Sequence, residues 1–310
     1  MKLVLMGTSD WAVPVFDRMA IEHEVLAVFT RAPKPAGRKK ELQKSPVHIW
    51  ADSRNLPVIT NIKEYNLKPD YVVVASYGVI LRDDVLASAP FINIHPSLLP
   101  KYRGPSPMLS AVLNGDAETG VCLMKITNEV DAGDIYMTRQ IEIGENDTTL
   151  DLERKVSEIS ADMLSEYFKN PNLYPPQPQV GTPIYTRKFT GADEWIDWNK
   201  TPREIHNQVR AIGGRTMING MDVKVLETRL APALAAGAAG EARGGGFDKS
   251  NEPAPRNTLC FDPLRKGRSS EILEIIRVQP AGKKPMDWKS FVNGLHGAEI
   301  KFGEGTTQKD

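Results

Sequence analysis

The sequence predicts an α/β protein in two parts, a domain built on a parallel sheet followed by a smaller β-barrel. Three observations carry this reading. Residues 1–145 alternate continuous apolar runs with helix-like stretches, the pattern of βαβ units whose strands are buried on both faces. A stretch rich in Pro, Gln and Thr then interrupts the pattern between 170 and 190. Beyond it, short strand-like runs are punctuated by turns, as in a small barrel. A length of 310 residues exceeds one typical domain and agrees with two.

The elements follow in order. Residues 3–6, 25–29, 71–75 and 91–94 are β-branched or apolar runs that predict buried parallel strands with right-handed crossovers. Ser45-Pro46 sets an N-cap before a proline at the first helical position and opens a helix toward Trp50; Ser106-Pro107 repeats the device before 108–113. Residues 121–126 and 135–143 read as two further strands joined by 127–134. A helix is predicted over 148–168, with Leu150, Val156, Ile159, Met163, Leu164 and Tyr167 on one stripe. Residues 170–190, with Pro171, Pro175, Pro176, Pro178 and Pro183, read as an extended linker. The expected domains are therefore 1–190, with the linker at its end, and 200–310.

In the second part, Thr201-Pro202-Arg203-Glu204 is a capping box that opens a helix to about Ile212. Short strands are expected at 221–226, 259–261, 272–278 and 298–302. Residues 231–256, Ala/Gly-rich and then polar, read as a loop within the barrel.

Composition bounds the function. The formal net charge is zero, with 41% apolar residues, which leaves room for a core and gives no general polyanion-binding signal. Cys122 and Cys260 are the only cysteines, too few for a disulfide framework, so a reducing cytoplasm is expected. Cys122, in an apolar run, reads as a small buried hydrophobe. The N-terminal apolar run is too short for a signal peptide, and nowhere do 18 apolar residues run together. The five histidines, at 23, 48, 95, 206 and 296, have no metal-ligand spacing, so a metal enzyme is not expected. Gly7 lacks the later glycines of a dinucleotide fingerprint.

Chemistry concentrates in residues 91–100, Phe-Ile-Asn-Ile-His-Pro-Ser-Leu-Leu-Pro. Asn93 and His95 alternate with apolar neighbours at the end of a predicted strand, so both face one side, at the edge where such sheets bind ligands. An amide donor beside an imidazole can hold a developing oxyanion in acyl transfer. An isolated pair of this kind also serves as a turn capping the strand. Asp131, in 128–135, can orient and charge His95 if both loops rise at the same edge; an ordinary turn residue is the simpler reading. Residues 31–44 carry six cations and one anion in a protruding loop, which suits a phosphate backbone, although a solvated charge run is the commoner meaning.

Together these stretches resemble the methionyl-tRNA formyltransferases. The resemblance runs through Gly7-Thr8, 35–39 with Ser45-Pro46-Val47, 75–80, 93–104 and 131–134, then 196–198, 278–286 and 291–294. The block Asn-Ile-His-Pro-Ser-Leu-Leu-Pro marks the wider folate-dependent formyltransferases. The Pro-Ala-Gly-Arg loop and the C-terminal match narrow it to the tRNA enzymes. The resemblance implies a doubly wound, mostly parallel sheet that binds 10-formyltetrahydrofolate as co-substrate without a metal, and an OB-like barrel that touches tRNA. It implies Asn93, His95 and Asp131 as catalytic residues, Ser97, Leu98, Leu99 and Pro100 at the folate, and Arg38, Lys39 and Lys40 at the tRNA acceptor stem. The chain departs from the family at 213–216, where a turn containing proline and tryptophan is usual, and at 231–256.

The expected reaction is formyl transfer to the amino group of methionyl initiator tRNA by a cytoplasmic monomer, with a protonated His95 donating to the oxyanion. A formyltransferase acting on a small amine such as glycinamide ribonucleotide or an amino sugar nucleotide is the alternative. A hydrolase that deformylates the folate and a non-catalytic tRNA-binding module are further readings.

Overall fold

The computed structural model describes residues 1–37, 40–232, 271–296, 298 and 300–303. They gather into two units. The first takes in Met1–Met108, Ala117–Ile143 and Leu150–Lys188; the second takes in Leu109–Asp116, Gly144–Thr149 and the chain from Phe189 onward.

In the first unit the chain runs β1 (Lys2–Gly7), α1 (Ala12–Glu22), β2 (Glu24–Phe29), β3 (Lys34–Ala36), β4 (Glu41–Gln43), α2 (Pro46–Ser53), β5 (Val58–Ile59), β6 (Tyr71–Ala75), α3 (Asp83–Leu86) and β7 (Phe91–His95). Then come α4 (Pro107–Leu113), which ends in the second unit, β8 (Glu118–Lys125), β9 (Ile135–Glu142) and α5 (Thr149–Lys169). The sheet order is β5-β2-β1-β6-β7-β8-β9. From β5 to β7 the pairings are parallel, and β8 and β9 close that edge antiparallel. This is the mostly parallel sheet that the apolar runs predict.

The helices dock by their apolar stripes. Ala12, Val15, Phe16 and Met19 of α1 are buried, at the spacing of one helical face. Ser45 Oγ accepts the His48 N–H at 3.1 Å and so caps α2 as its sequence predicts. Gly7 has a packing role: a Cβ there would lie 2.6 Å from the Phe16 ring and 2.7 Å from the Ala75 carbonyl oxygen. Cys122 is buried and free, and burial pushes its thiol up, as a small apolar residue requires.

Four short elements escape the sequence reading. β5 has two residues and α3 has four, too few to show a period. The basic loop contains the β3–β4 hairpin, paired Lys34 to Gln43 through Ala36 to Glu41. Gly37 with φ 69° begins its turn.

The second unit contains α6 (Pro202–Ile212), β10 (Gly214–Ile218), β11 (Met221–Pro232), β12 (Glu271–Pro280), β13 (Met286–Asp287), α7 (Trp288–Asn293) and β14 (Phe302–Gly303). The domain expected to be an OB-like barrel is a separate antiparallel sheet of order β13-β12-β11-β10-β14 among the described residues. Thr201 and Glu204 cap α6 reciprocally. Ile205, Val209, Val225, Leu273, Val278, Trp288 and Phe291 share the core. The helix α7, capped by Asp287 through the Ser290 N–H at 2.8 Å, has no counterpart in the expected strands. Ala231 and Pro232, expected to begin a loop, instead finish β11 opposite Ile272 and Glu271. The strand expected at 298–302 is confined to Phe302–Gly303. Residues 233–256, the strand expected at 259–261 and Cys260 lie outside the described residues.

Gly213 opens the stretch 213–216 at which the sequence departs from the family it resembles. With φ 88° it ends α6, a conformation that favours glycine. A Cβ on Gly214 would lie 2.7 Å from Ile196 Cδ1. The Gly-Gly pair is therefore the local solution for passing from α6 into β10.

Candidate active site

The strand β7 delivers two polar side chains to one side. Asn93 and His95 are two residues apart and pair across β8 with Met124 and Cys122. Both reach the same carboxylate. Asn93 Nδ2 donates to Asp131 Oδ1 at 3.5 Å, the long limit of a hydrogen bond, and His95 Nδ1 lies 3.5 Å from Asp131 Oδ2. The distances are those of neighbours in a site and are longer than a tight ion pair.

The carboxylate is held by the turn that carries it. Asp131 lies between β8 and β9 with φ 48°, a left-handed conformation that costs an L residue about 1–2 kcal/mol. The Gly104 N–H donates to Asp131 Oδ2 at 2.8 Å. Gly133 lets the turn close: a Cβ there would lie 1.9 Å from the Lys125 carbonyl oxygen. The closure is completed where the Lys125 N–H donates to the Asp134 carbonyl at 2.8 Å.

The His95 ring is almost wholly buried, whereas the Asp131 side chain keeps 19% of its exposure. His95 Nε2 lies 2.9 Å from the Tyr102 carbonyl oxygen. A carbonyl has no proton to give, so Nε2 carries the hydrogen and donates it. Burial pushes the imidazole below its ordinary pKa. Asp131 and the Tyr102 carbonyl pull it up, and Arg103 pushes it further down. Burial prevails, so the resting ring is neutral with the Nδ1 lone pair on the Asp131 side. This corrects the expectation of a resting imidazolium: a carboxylate at 3.5 Å does not offset removal of the ring from water.

The stretch at 170–190 is more than a linker. The Gln177 N–H donates to the Ile135 carbonyl at 2.9 Å, and the Ile135 N–H donates back at 2.8 Å. Gln179 Nε2 donates to the carbonyls of Asp131 at 2.8 Å and Gly133 at 2.9 Å. The Arg103 N–H donates to the Ile184 carbonyl at 2.8 Å, and the Thr186 N–H donates to the Arg103 carbonyl at 2.7 Å. Gly104 makes room for this strap, since a Cβ there would lie 2.9 Å from Thr186 Oγ1. Sequence reasoning gave no functional role to Arg103, Gly104, Gly133 or Gln179. A Pro/Gln-rich composition carries no signal for a partner 48 residues away.

Ser97 is fully buried and spends its hydroxyl on the Lys101 carbonyl at 2.6 Å. It fixes the turn after β7, on which Leu98, Leu99 and Pro100 are half-buried. Lys40 is exposed at the β3–β4 turn with φ 51°. Arg38 and Lys39 lie outside the described residues. Among the described residues no group of three or more His, Cys, Asp or Glu side chains gathers as a metal site.

Comparison with known proteins decides the family. Residues 1–167 match the family described as formyl transferase, and residues 188–251 match the formyl transferase C-terminal domain. The methionyl-tRNA formyltransferase of Coprothermobacter proteolyticus is 33% identical over 322 aligned residues, covering 98% of this chain and 100% of that protein. The chain belongs to the methionyl-tRNA formyltransferase family. The Anaplasma phagocytophilum member is 35% identical over 97% of this chain and 99% of its own. Among solved structures, the methionyl-tRNA formyltransferase of Clostridium thermocellum superposes with a TM-score of 0.54 at 17% identity, covering 74% of this chain and 93% of its own. WlaRD, a sugar 3N-formyl transferase, reaches 0.65 at 23% identity over 92% of this chain and 99% of its own. At these identities the superpositions show the fold that the family shares.

Proposed function

We propose that the protein transfers the formyl group of 10-formyltetrahydrofolate to the amino group of methionyl initiator tRNA, with Asn93, His95 and Asp131 as its catalytic residues. The convergence of the Asn93 amide and the His95 imidazole on the Asp131 carboxylate carries this reading. The donor set fits such a co-substrate: an amide N–H for a formyl oxygen, a ring nitrogen for a proton, and half-buried Leu98, Leu99 and Pro100 beside them.

The folate supplies an activated formyl group bound to nitrogen. Asn93 Nδ2 donates to the formyl oxygen as the amine attacks and the oxygen becomes an oxyanion. His95 Nδ1 accepts the proton that the amine nitrogen gives up as its bond to the formyl carbon forms. Asp131, 3.5 Å away, stabilises the imidazolium thus created. His95 then returns the proton to the departing folate nitrogen as the carbon–nitrogen bond breaks and that nitrogen keeps the electron pair. A neutral resting histidine serves this cycle better than the imidazolium first expected, because it begins able to accept the proton.

The basic loop, with Arg38, Lys39 and Lys40, meets the phosphates of the acceptor stem, and the second unit from residue 200 onward contributes further tRNA contact. The reading carries with it a monomer in the cytoplasm. Among the described residues no helix is long and apolar enough to cross a membrane. A small-amine acceptor has less support, since the family members named for methionyl-tRNA match this chain over nearly its whole length. The test is formyl transfer from 10-formyltetrahydrofolate to charged initiator tRNA, with glycinamide ribonucleotide in parallel. Transfer to the tRNA is expected; transfer to the nucleotide alone would overturn the assignment.

A further inference from the structure

We propose that Gln179 is a positioning residue for formyl transfer, its amide holding the Asp131 turn so that the carboxylate meets both Asn93 and His95. The proposal rests on the catalytic role given above to Asp131.

Both ends of the Gln179 amide are used. Its oxygen accepts from Arg103 Nε at 3.1 Å and Nη2 at 2.9 Å. The guanidinium only donates, so this settles which way the amide faces. The two hydrogens on Nε2 then reach the Asp131 and Gly133 carbonyls, at 2.8 and 2.9 Å. These carbonyls flank the turn in which Asp131 adopts φ 48°. The carboxylate itself accepts from the Gly104 N–H at 2.8 Å and, at the long limit, from Asn93 Nδ2 at 3.5 Å.

Arg103 in turn is nearly buried. Its remaining partners are Glu129 Oε1 at 3.0 Å and the Tyr185 hydroxyl at 3.4 Å. Glu129 is largely in water, where an ion pair is weak, so the guanidinium is anchored chiefly by Gln179, while the Arg103 main chain pairs with the strap. The position demands glutamine. Glutamate would satisfy Arg103 but has no hydrogen for the carbonyls, and asparagine is one methylene shorter.

The charged and titratable groups facing His95 are Asp131 from its turn, Arg103 from the segment after β7 and Cys122 from β8. Of these, Asp131 sits on the turn that Gln179 grips, whereas Arg103 keeps its bond to Glu129 and its main-chain pairs with the strap when the Gln179 amide is lost. Release of the turn therefore withdraws negative charge from the imidazolium that forms in the reaction, and His95 should then protonate at lower pH.

The experiment compares full-length wild type, Gln179→Met, Gln179→Glu and Asp131→Asn in transfer from 10-formyltetrahydrofolate to charged initiator tRNA. Kinetics across pH and melting temperatures are recorded for each. Both Gln179 variants should lose about 10- to 100-fold in kcat, the penalty typical of a misplaced catalytic group, with KM for tRNA within about threefold. For Gln179→Met the acid limb of kcat/KM should move to lower pH. Gln179→Glu keeps its partner Arg103 and serves if the methionine variant does not fold. A slow Asp131→Asn beside Gln179 variants of wild-type kcat and unmoved acid limb overturns the proposal. So does a lower melting temperature with an unmoved limb, which would make Gln179 merely structural. Wild-type turnover in Asp131→Asn would instead remove the catalytic reading of the trio.

Discussion

Oδ2 of Asp131 stands 3.5 Å from Nδ1 of His95, while the opposite ring nitrogen of the same histidine donates to the Tyr102 carbonyl. The ring is thus fixed at one nitrogen and open at the other, and the open nitrogen is the one that can exchange a proton.

Removing either donor should slow the chemistry. Asn93→Ala is expected to lower kcat/KM by ~10²–10³, the usual loss for one oxyanion donor, and His95→Ala by at least as much. Turnover within a few-fold of wild type in steady-state assays would exclude the residue from the mechanism.

The pH profile follows from burial of His95. The active ring is neutral and its pKa lies below the ordinary histidine value. The kcat/KM should therefore hold level as pH falls through about 6.5, the ordinary histidine value, and decline only at lower pH. A decline centred at or above the ordinary value would contradict a neutral resting ring.

Gly133→Ala should misplace Asp131 without touching it. The added methyl would meet the Lys125 carbonyl oxygen at 1.9 Å, so the turn must open. A stability loss of about 1–3 kcal/mol, as for other overpacked sites, should accompany a larger fall in kcat. Denaturant unfolding and single-turnover assays on the same preparation separate the two effects.

Neutralising the basic loop should act on one substrate. Arg38→Ala is expected to raise KM for tRNA and flatten its dependence on salt, by roughly one released counterion per phosphate contact, while KM for the folate stays put. Equal changes for both substrates would place Arg38 elsewhere.

The second unit has its own pH signature. His206 is buried, with Nδ1 2.9 Å from Thr228 Oγ1 and Nε2 3.2 Å from the Glu145 carbonyl, and burial lowers its pKa. A histidine with a depressed folded-state pKa stabilises the fold above its unfolded value, and that stability fades as pH falls toward the folded value. The melting temperature of wild type should drop more between about pH 7 and 5 than that of His206→Gln. Parallel curves would show that His206 is not the group responsible.

Much of the first sheet was legible because its strands are long apolar runs, and Asn93 and His95 were legible because strand alternation alone puts them on one face. Asp131 could be suggested only conditionally, since its meeting with His95 depends on where two loops rise. The protonation state of His95 was misread for a related reason: burial is a property of the packed structure, and a neighbouring carboxylate in sequence terms says nothing of desolvation. Gln179 was invisible, because prolines at 175, 176, 178 and 183 signal extended backbone and are silent on which side chain turns back to the turn at 131. Gly104 and Gly133 owe their identity to distances of a few ångströms to Thr186 and Lys125, and no local pattern encodes those distances.

The strap that pairs Gln177 with Ile135 and Arg103 with Thr186 also decides where this polypeptide can be recombined. A fusion made just after the long helix ending at Lys169 would look harmless by secondary structure, yet it would exchange the residues that brace the reacting carboxylate. Junctions for hybrid enzymes, and for any excised amino-terminal half, belong beyond Thr186. A protease nick near position 180 should silence the enzyme while leaving every catalytic side chain uncut.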